Sequence, residues 1–182
     1  HDKFVTNKPF PKGNIGTNMF SLQGDKYATI DKAWQERKTQ IILFDFDRVT
    51  GKLSNPKYDE ITGIEKDIGY SVIFSPDGRY LYVNNSLELY RYDLSKNDFP
   101  KKKLIDIYDG SVSWCNFDSS FCALNHFGFW QYGPDGKLYN VSEYGTSRHM
   151  HRMNYPEEDK PEFEQHAIFT PNNPWTIPNF PN

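Results

Sequence analysis

The chain has 182 residues, a formal net charge of −3 and a sequence pI of about 6.0. The weak negative charge offers no basic field to a phosphate backbone, so a nucleic acid is not an expected partner. No stretch approaches the roughly 18 apolar residues that a membrane-spanning helix needs. Aromatic residues reach 16% of the chain, which favours a core of large rings packed on β-sheets.

The chain start and the cysteines bear on processing and redox state. Because the chain begins at His1 and not at a methionine, we expect a processed or excised segment whose targeting signal lies upstream. Cys115 and Cys122 have six residues between them. A short antiparallel hairpin can bridge this spacing with a disulfide, and the alternative is two unpaired, partly buried thiols.

A hairpin with a glycine corner recurs along the chain. Phe74–Val83 and Tyr132–Val141 both have the pattern of a strand, a Pro-Asp-Gly turn and a second strand. In such a turn the proline presets φ, the aspartate accepts from backbone N–H groups, and the glycine supplies a left-handed φ. The predicted turn residues are Pro76, Asp77 and Gly78 in one copy and Pro134, Asp135 and Gly136 in the other.

The spacing of the turns predicts the fold class. A weaker third copy, Phe20–Ile30, turns at Gly24, so the three turn glycines are about 54 and about 58 residues apart. Each hairpin is followed by two further candidate strands, and propeller repeats run to roughly 40–50 residues. The sequence therefore predicts an all-β protein, a β-propeller fragment of about three four-stranded blades. We assign the blades to residues 14–62, 63–110 and 111–182 of one domain, 1–182, and predict a short helix within Asp31–Lys38.

An ordered series of motifs over about residues 38–182 carries a family resemblance: Gln40–Asn55, Ile73–Val83, Leu89–Leu94, Gly133–Tyr139, Met153–Pro156 and Ile177–Asn182. The series resembles bacterial WD40-like β-propellers with Ser-Pro-Asp-Gly hairpins. More narrowly, it is similar to the propeller region of secreted or envelope proteins related to gliding motility and type IX secretion. The resemblance implies an extracellular, cell-surface or periplasmic location, and it brings no shared set of catalytic residues.

The same resemblance implies that further blades precede the matched region in a larger ring. Three blades cut from a ring expose two large apolar faces, which something must cover. We expect a protein partner there, either the missing blades of the same polypeptide or a larger assembly, in preference to a ring closed by two copies.

Few residues in the sequence suggest metal binding or catalysis. His149 and His151 lie two positions apart on a predicted strand, a spacing that metal sites use. The flanking Arg148 and Arg152 disfavour a bound cation, so we expect a polar rim strand with no metal and no cofactor. Because nucleophile-elbow and Gly-rich phosphate motifs are absent from the sequence, no catalytic residue is predicted.

The predicted function is that of a non-catalytic interaction or scaffold module. Two alternatives stay open: a propeller hydrolase, lactonase-like or glycan-acting, with a metal in its channel, and a carbohydrate-binding module that uses Trp34, Trp130 or Trp175. Most of the aromatic residues between 114 and 132 are expected in the core. The candidate binding surface includes loops Ser111–Asn125 and Gly145–Arg148, and its residues are Trp114, Trp130, His149 and His151.

Overall fold

The computed structural model describes residues 17–33, 38–62, 71–142 and 147–170. The regular elements in these ranges are β-strands, arranged as three four-stranded antiparallel sheets and one two-stranded sheet. No helix among them is long and apolar enough to cross a membrane. Each four-stranded sheet is a simple meander in which neighbours along the chain pair, as the blade prediction requires.

The strand bounds follow the repeat. Blade 1 contains β1 (Asn18–Phe20), β2 (Lys26–Ala33), β3 (Lys38–Asp47) and β4 (Lys52–Thr62). Blade 2 contains β5 (Ser71–Phe74), β6 (Tyr80–Asn84), β7 (Glu88–Asp93) and β8 (Lys102–Ile107). The small sheet contains β9 (Val112–Cys115) and β10 (Cys122–Leu124). Blade 3 contains β11 (Phe127–Tyr132), β12 (Leu138–Ser142), β13 (His149–Asn154) and β14 (Glu162–Phe169).

The corner between the first two strands of each blade has the chemistry that its residues dictate. Gly24, Gly78 and Gly136 have φ values of +66°, +73° and +76°, where a side chain is strained. Asp77 and Asp135 each accept from the backbone N–H two residues further on, at 3.0 and 3.3 Å. Pro76 and Pro134 precede these aspartates in the same corners.

Blade 2 is packed on both faces because side chains alternate along its strands. Val72 and Phe74 of β5 belong to a core shared with blade 1, whereas Ile73 between them belongs to a core shared with blade 3. Every residue of β6 is buried. The first strand, β5, contacts both β1 and β11, so the first strands of the three blades lie side by side. This is the arrangement of propeller blades about a common axis.

Two sequence assignments need correction. Asp31–Ala33 end strand β2 and Lys38 begins β3, so the predicted helix is wrong there; residues 34–37 lie outside the described ranges. Ladder pairing such as Asp31 with Gln40 overrides the weak helix propensity of this segment. The third blade begins at Phe127, and the preceding segment, assigned to that blade from sequence, forms the separate β9–β10 sheet.

Candidate functional site

A disulfide-closed hairpin stands between blades 2 and 3. We call residues 112–124, which include β9 and β10, the aromatic hairpin. Cys115 lies directly opposite Cys122 in the β9–β10 pairing, and the two form a disulfide. The structure therefore contains the bridge and not the two thiols that the sequence left as the alternative.

The turn of the aromatic hairpin repeats the corner of the blades without its glycine. Asn116 N–H donates to Phe121 O and Ser119 N–H donates to Asn116 O, both at 2.9 Å. Ser75, Gly78 and Tyr80 make the same two bonds in blade 2. Ser119 has φ +56° in the position that a glycine occupies in the blades. Sequence reasoning missed this fourth copy because it searched for glycine; the remaining signal is the Asn-x-Asp-Ser spacing.

Three aromatic rings of the aromatic hairpin are exposed. Phe117 at the tip is fully exposed, at 109% of its reference area, and Phe121 is 48% exposed. Trp114 is 39% exposed, and its ring lies 5.9 Å from that of Phe121. The prediction that most of the aromatic residues between 114 and 132 lie in the core does not extend to these three, because the hairpin stands apart from the blade sheets. Trp114 therefore lies at the surface of the hairpin, and its role in binding stays a prediction.

A polar cluster fixes the base of the aromatic hairpin to blade 3. Ser113 Oγ and Ser147 Oγ both donate to Asn125 Oδ1, at 2.5 and 2.6 Å. The backbone N–H of Arg148 donates to Ser113 Oγ at 3.0 Å. Because Asn125 and Ser147 are buried, these bonds are shielded from water and hold the hairpin in a defined position.

A second set of polar contacts lies beside this cluster, on the last strand of blade 3. His166 has φ +57° at a bulge in the β13–β14 pairing, and strained residues of this kind often mark functional sites. Its Nε2 atom lies 2.7 Å from Ser111 Oγ and 3.0 Å from Asp109 Oδ2. A catalytic relay needs the carboxylate on the other ring nitrogen from the hydroxyl. The shortest contacts of both groups are to the same nitrogen, and Ser111 Oγ lies farther, 3.4 Å, from Nδ1, so the contacts anchor His166 and lack the arrangement of such a relay.

The charge of Asp109 fits this anchoring role. Partial burial raises the pKa of the Asp109 carboxyl, but hydrogen bonds from the Ser111 N–H and from His166 outweigh burial and bring the pKa below its ordinary value. The carboxylate is therefore ionised at neutral pH. No group of three or more His, Cys, Asp or Glu side chains in the part of the chain that the structure describes is arranged to hold a metal ion.

Two predicted surface residues are buried, which corrects the sequence assignment. His151 is 0% exposed, with Nε2 at 2.9 Å from Asn125 O and its ring stacked on Phe163. Burial lowers the pKa of His151 to about 3, so the ring is neutral. Trp130 is 7% exposed and belongs to the core between blades 2 and 3. Both side chains point toward blade 2, and a strand sequence does not reveal which face a neighbouring blade covers.

The other predicted site residues have mixed positions. His149 is half-buried; burial and the nearby His166 lower its pKa, and its Nδ1 lies 3.4 Å from Ser113 Oγ. His149 thus lies against the base of the aromatic hairpin and Trp114 is part of the hairpin, whereas His151 and Trp130 are buried in the core. Trp34, Trp175 and residues 145–146 of the second candidate loop lie outside the described residues.

The chain resembles solved structures only in its fold. No known protein family and no curated protein sequence matches it. A protein from Lactobacillus plantarum superposes with a TM-score of 0.53 at 15% identity, over 86% of this chain and 42% of that one. The periplasmic gluconolactonase PpgL of Pseudomonas aeruginosa superposes with a TM-score of 0.51 at 14% identity, over 90% of this chain and 43% of that one. The chain thus spans less than half the length of either propeller-like protein, and it is an all-β protein with the β-propeller fold.

Proposed function

We propose that the chain is a non-catalytic interaction module that works outside the cytoplasm and presents a rigid propeller surface to a protein partner. One observation carries this proposal: the polar side chains at the base of the aromatic hairpin are hydrogen-bonded to each other. Ser113, Asn125 and Ser147 are bonded to one another, and Asp109 and Ser111 both bond His166. These groups hold the hairpin to blade 3, and the hairpin turns three aromatic rings to solvent.

The proposed location rests on the disulfide. Disulfides persist in oxidising compartments and are rare in the cytosol. The Cys115–Cys122 bridge closes an exposed hairpin, where a reducing cytosol would open it. A periplasmic, cell-surface or extracellular location agrees with the motif resemblance to WD40-like propellers of gliding-motility and type IX secretion proteins. Membership of such an envelope assembly is the narrower form of this proposal.

The composition of the aromatic hairpin is that of a protein–protein interface. Interface cores are depleted in charged residues and enriched in aromatic ones. Between Ser111 and Asn125 the sequence carries a single charged residue, Asp118, and three aromatic residues, Trp114, Phe117 and Phe121. This composition fits a protein-binding surface better than a solvated loop, which would carry mixed charges.

The test compares binding with hydrolysis. The oxidised protein is immobilised, candidate partners are captured from the secreted and envelope fractions of the source cells, and each is purified and titrated back. In parallel, a panel of sugar lactones is assayed with Ca²⁺, Mg²⁺ and Zn²⁺. We expect saturable binding of one protein and no metal-dependent turnover. Saturable lactone hydrolysis that is lost in both Asp109→Asn and His166→Gln would overturn the proposal in favour of a propeller hydrolase.

A further inference from the structure

We propose that Phe117 is the anchor of a protein–protein contact, inserted into an apolar pocket of a partner whose rim carries lysine or arginine. The inference rests on the proposed function, because it assigns the residue through which the interaction module binds.

Phe117 packs against nothing in the part of the chain that the structure describes. Its side chain is fully exposed, so it buries no area within the described chain. The turn requires a left-handed residue at Ser119 and side-chain oxygens at Asn116 and Asp118, and it places no demand on position 117. The blades have Leu22, Pro76 and Pro134 at the equivalent position of their corners. An exposed phenylalanine at this position lowers solubility and contributes no packing to the described chain.

The backbone that carries Phe117 is held rigidly. The disulfide joins the two strands at the base of the turn. Asn116 Oδ1 accepts from Phe121 N–H at 2.9 Å, and Asn116 Nδ2 donates to Ser120 Oγ at 2.8 Å. Because these bonds already fix the backbone of the turn, binding through Phe117 costs little further backbone entropy, and such preorganisation favours affinity.

The chemistry of the hairpin indicates its occupant. The hairpin itself carries no lysine or arginine, and the exposed Arg148 lies at its base beside Ser113, so the tip has no basic group to attract an anionic membrane. A sugar needs hydrogen-bonding groups beside the ring, but the side chains of Asn116 and Ser120 are bonded within the turn. An apolar pocket of a protein remains as the occupant that satisfies Phe117. The neighbouring Asp118 is exposed, and hydrogen bonds from Ser120 lower the pKa of its carboxyl, so it brings a negative charge to the pocket rim.

The experiment uses two matched variants. Phe117→Ser removes the proposed anchor, and Val49→Ser removes another apolar side chain, 89% exposed, from the β3–β4 turn of blade 1. Thermal melts should show both variants folded like the parent, since neither side chain is packed. Against the partner purified in the preceding test, we expect Phe117→Ser to weaken binding at least about 30-fold and Val49→Ser to leave it within about twofold. Asp118→Asn should slow association and reduce its dependence on salt.

A covalent readout identifies the occupant directly. The photoreactive residue p-benzoylphenylalanine is placed at position 117, and separately at position 49, in the source cells. A discrete adduct with one protein from position 117 and not from 49 supports the proposal. An adduct with a second copy of the chain, with lipid or with glycan overturns it.

The two proposals fail in different ways. If the parent protein binds a partner and Phe117→Ser binds it equally well, the anchor is wrong and the interaction module stands. If the parent binds no protein and gives no adduct, the proposed function fails and the anchor fails with it.

Discussion

The guanidinium carbon of Arg91 lies 4.1 Å from the centre of the Tyr80 ring, so a charge and an aromatic face of blade 2 stack on each other. The same guanidinium donates to Glu158 O at 2.9 Å and to Asp159 O at 3.1 Å, in the turn between β13 and β14 of blade 3. Tyr80 donates its hydroxyl to the Asp159 carboxylate. The pair therefore fastens the two blades at the end opposite the aromatic hairpin.

Replacement of Arg91 should loosen this junction. Arg91→Met keeps the stem but removes the two donors and the stacked charge, and we expect the free energy of unfolding to fall by about 2 kcal/mol. Arg91→Lys keeps the charge without the planar fork and should lose about half as much. Urea titrations measure both, and Arg148→Met, which removes an exposed arginine, serves as the control. A lysine variant as stable as the parent would mean that the fork geometry does not matter.

The fold could be predicted from sequence because its signal is local. Each blade corner is determined by residues within four positions of one another, as in Pro76-Asp77-Gly78 and Pro134-Asp135-Gly136. One sequence is therefore enough to find two blades and to suggest a third. The turn of the aromatic hairpin was not predicted because Ser119 takes the position that a glycine has in the blades. Asn116 and Asp118 support this turn, and a search for glycine does not detect it.

The site was harder to predict because it depends on what covers each strand face. An alternating sequence shows that a strand has two different faces, but it does not show which face is buried. In a blade between two neighbours both faces are buried. His151 and Trp130 looked like rim residues in sequence and lie in the core between blades. The contact of Ser113 with Ser147 joins residues 34 positions apart, on segments with no shared motif. Such long-range polar pairing leaves no trace in one sequence.

The buried imidazole of His151 should make the protein acid-sensitive. Its pKa is lowered to about 3 by burial, whereas an unfolded chain protonates this ring near pH 6.5. Between pH 3 and pH 6.5 the unfolded state binds a proton at this ring and the folded state does not. The contribution of the neutral ring to the free energy of unfolding is therefore complete above pH 6.5 and is lost as the pH falls below it. The slope from this ring is about 1.4 kcal/mol per pH unit.

The variant His151→Gln tests this assignment, because glutamine can still donate to Asn125 O without titrating. Urea titrations from pH 7 to 4 should show a shallower loss of stability for the variant, by the equivalent of one proton. In NMR spectra of the parent protein, the ring signals of His151 should stay in place down to pH 4. A titration midpoint near pH 6.5 would show that the ring is accessible to water.

Several tyrosines should make the fold sensitive to alkali. Burial and a hydrogen bond to Asp159 raise the pKa of Tyr80 to about 12, and burial with a hydrogen bond to Asp135 raises that of Tyr139 to about 12. Burial also raises the pKa of Tyr82 and of Tyr92, and Tyr92 additionally donates to Asp59 of blade 1 at 2.7 Å. The unfolded chain releases these protons near pH 10. Stability should therefore be complete below pH 10 and fall as the pH rises above it.

Ultraviolet absorbance at the tyrosinate band measures this behaviour during a pH titration. We expect a group of tyrosines to ionise only together with unfolding, well above pH 10. Tyr92→Phe should remove one such proton and make the alkaline loss of stability shallower. If all twelve tyrosines ionise in one step near pH 10 without unfolding, the burial of these rings is wrong.

The left-handed residue at the tip of the aromatic hairpin carries strain that a glycine relieves. Ser119 has φ +56°, a conformation that costs a residue with a side chain about 1 kcal/mol. Ser119→Gly should therefore slow chymotrypsin cleavage at Phe117 and Phe121, since the hairpin opens less often. Cys115→Ser with Cys122→Ser should accelerate the same cleavage, and the fragment pattern measured by mass spectrometry locates the effect. Unchanged rates in both variants would mean that hairpin opening does not limit cleavage.

The blade corners allow backbone strain to be separated from crowding. A Cβ at Gly78 would lie 2.5 Å from Gln23 Oε1 of blade 1, whereas a Cβ at Gly136 would meet nothing within 4 Å. Both glycines have positive φ, so Gly136→Ala measures the strain alone, about 1–2 kcal/mol. Gly78→Ala must also move the flexible Gln23 side chain, which donates to Pro76 O at 2.7 Å and links blades 1 and 2. Because this bond is exposed, its loss should add only about 0.5–1 kcal/mol in urea titrations. Equal losses in the two variants would show that the Gln23 link contributes nothing to the junction between the blades.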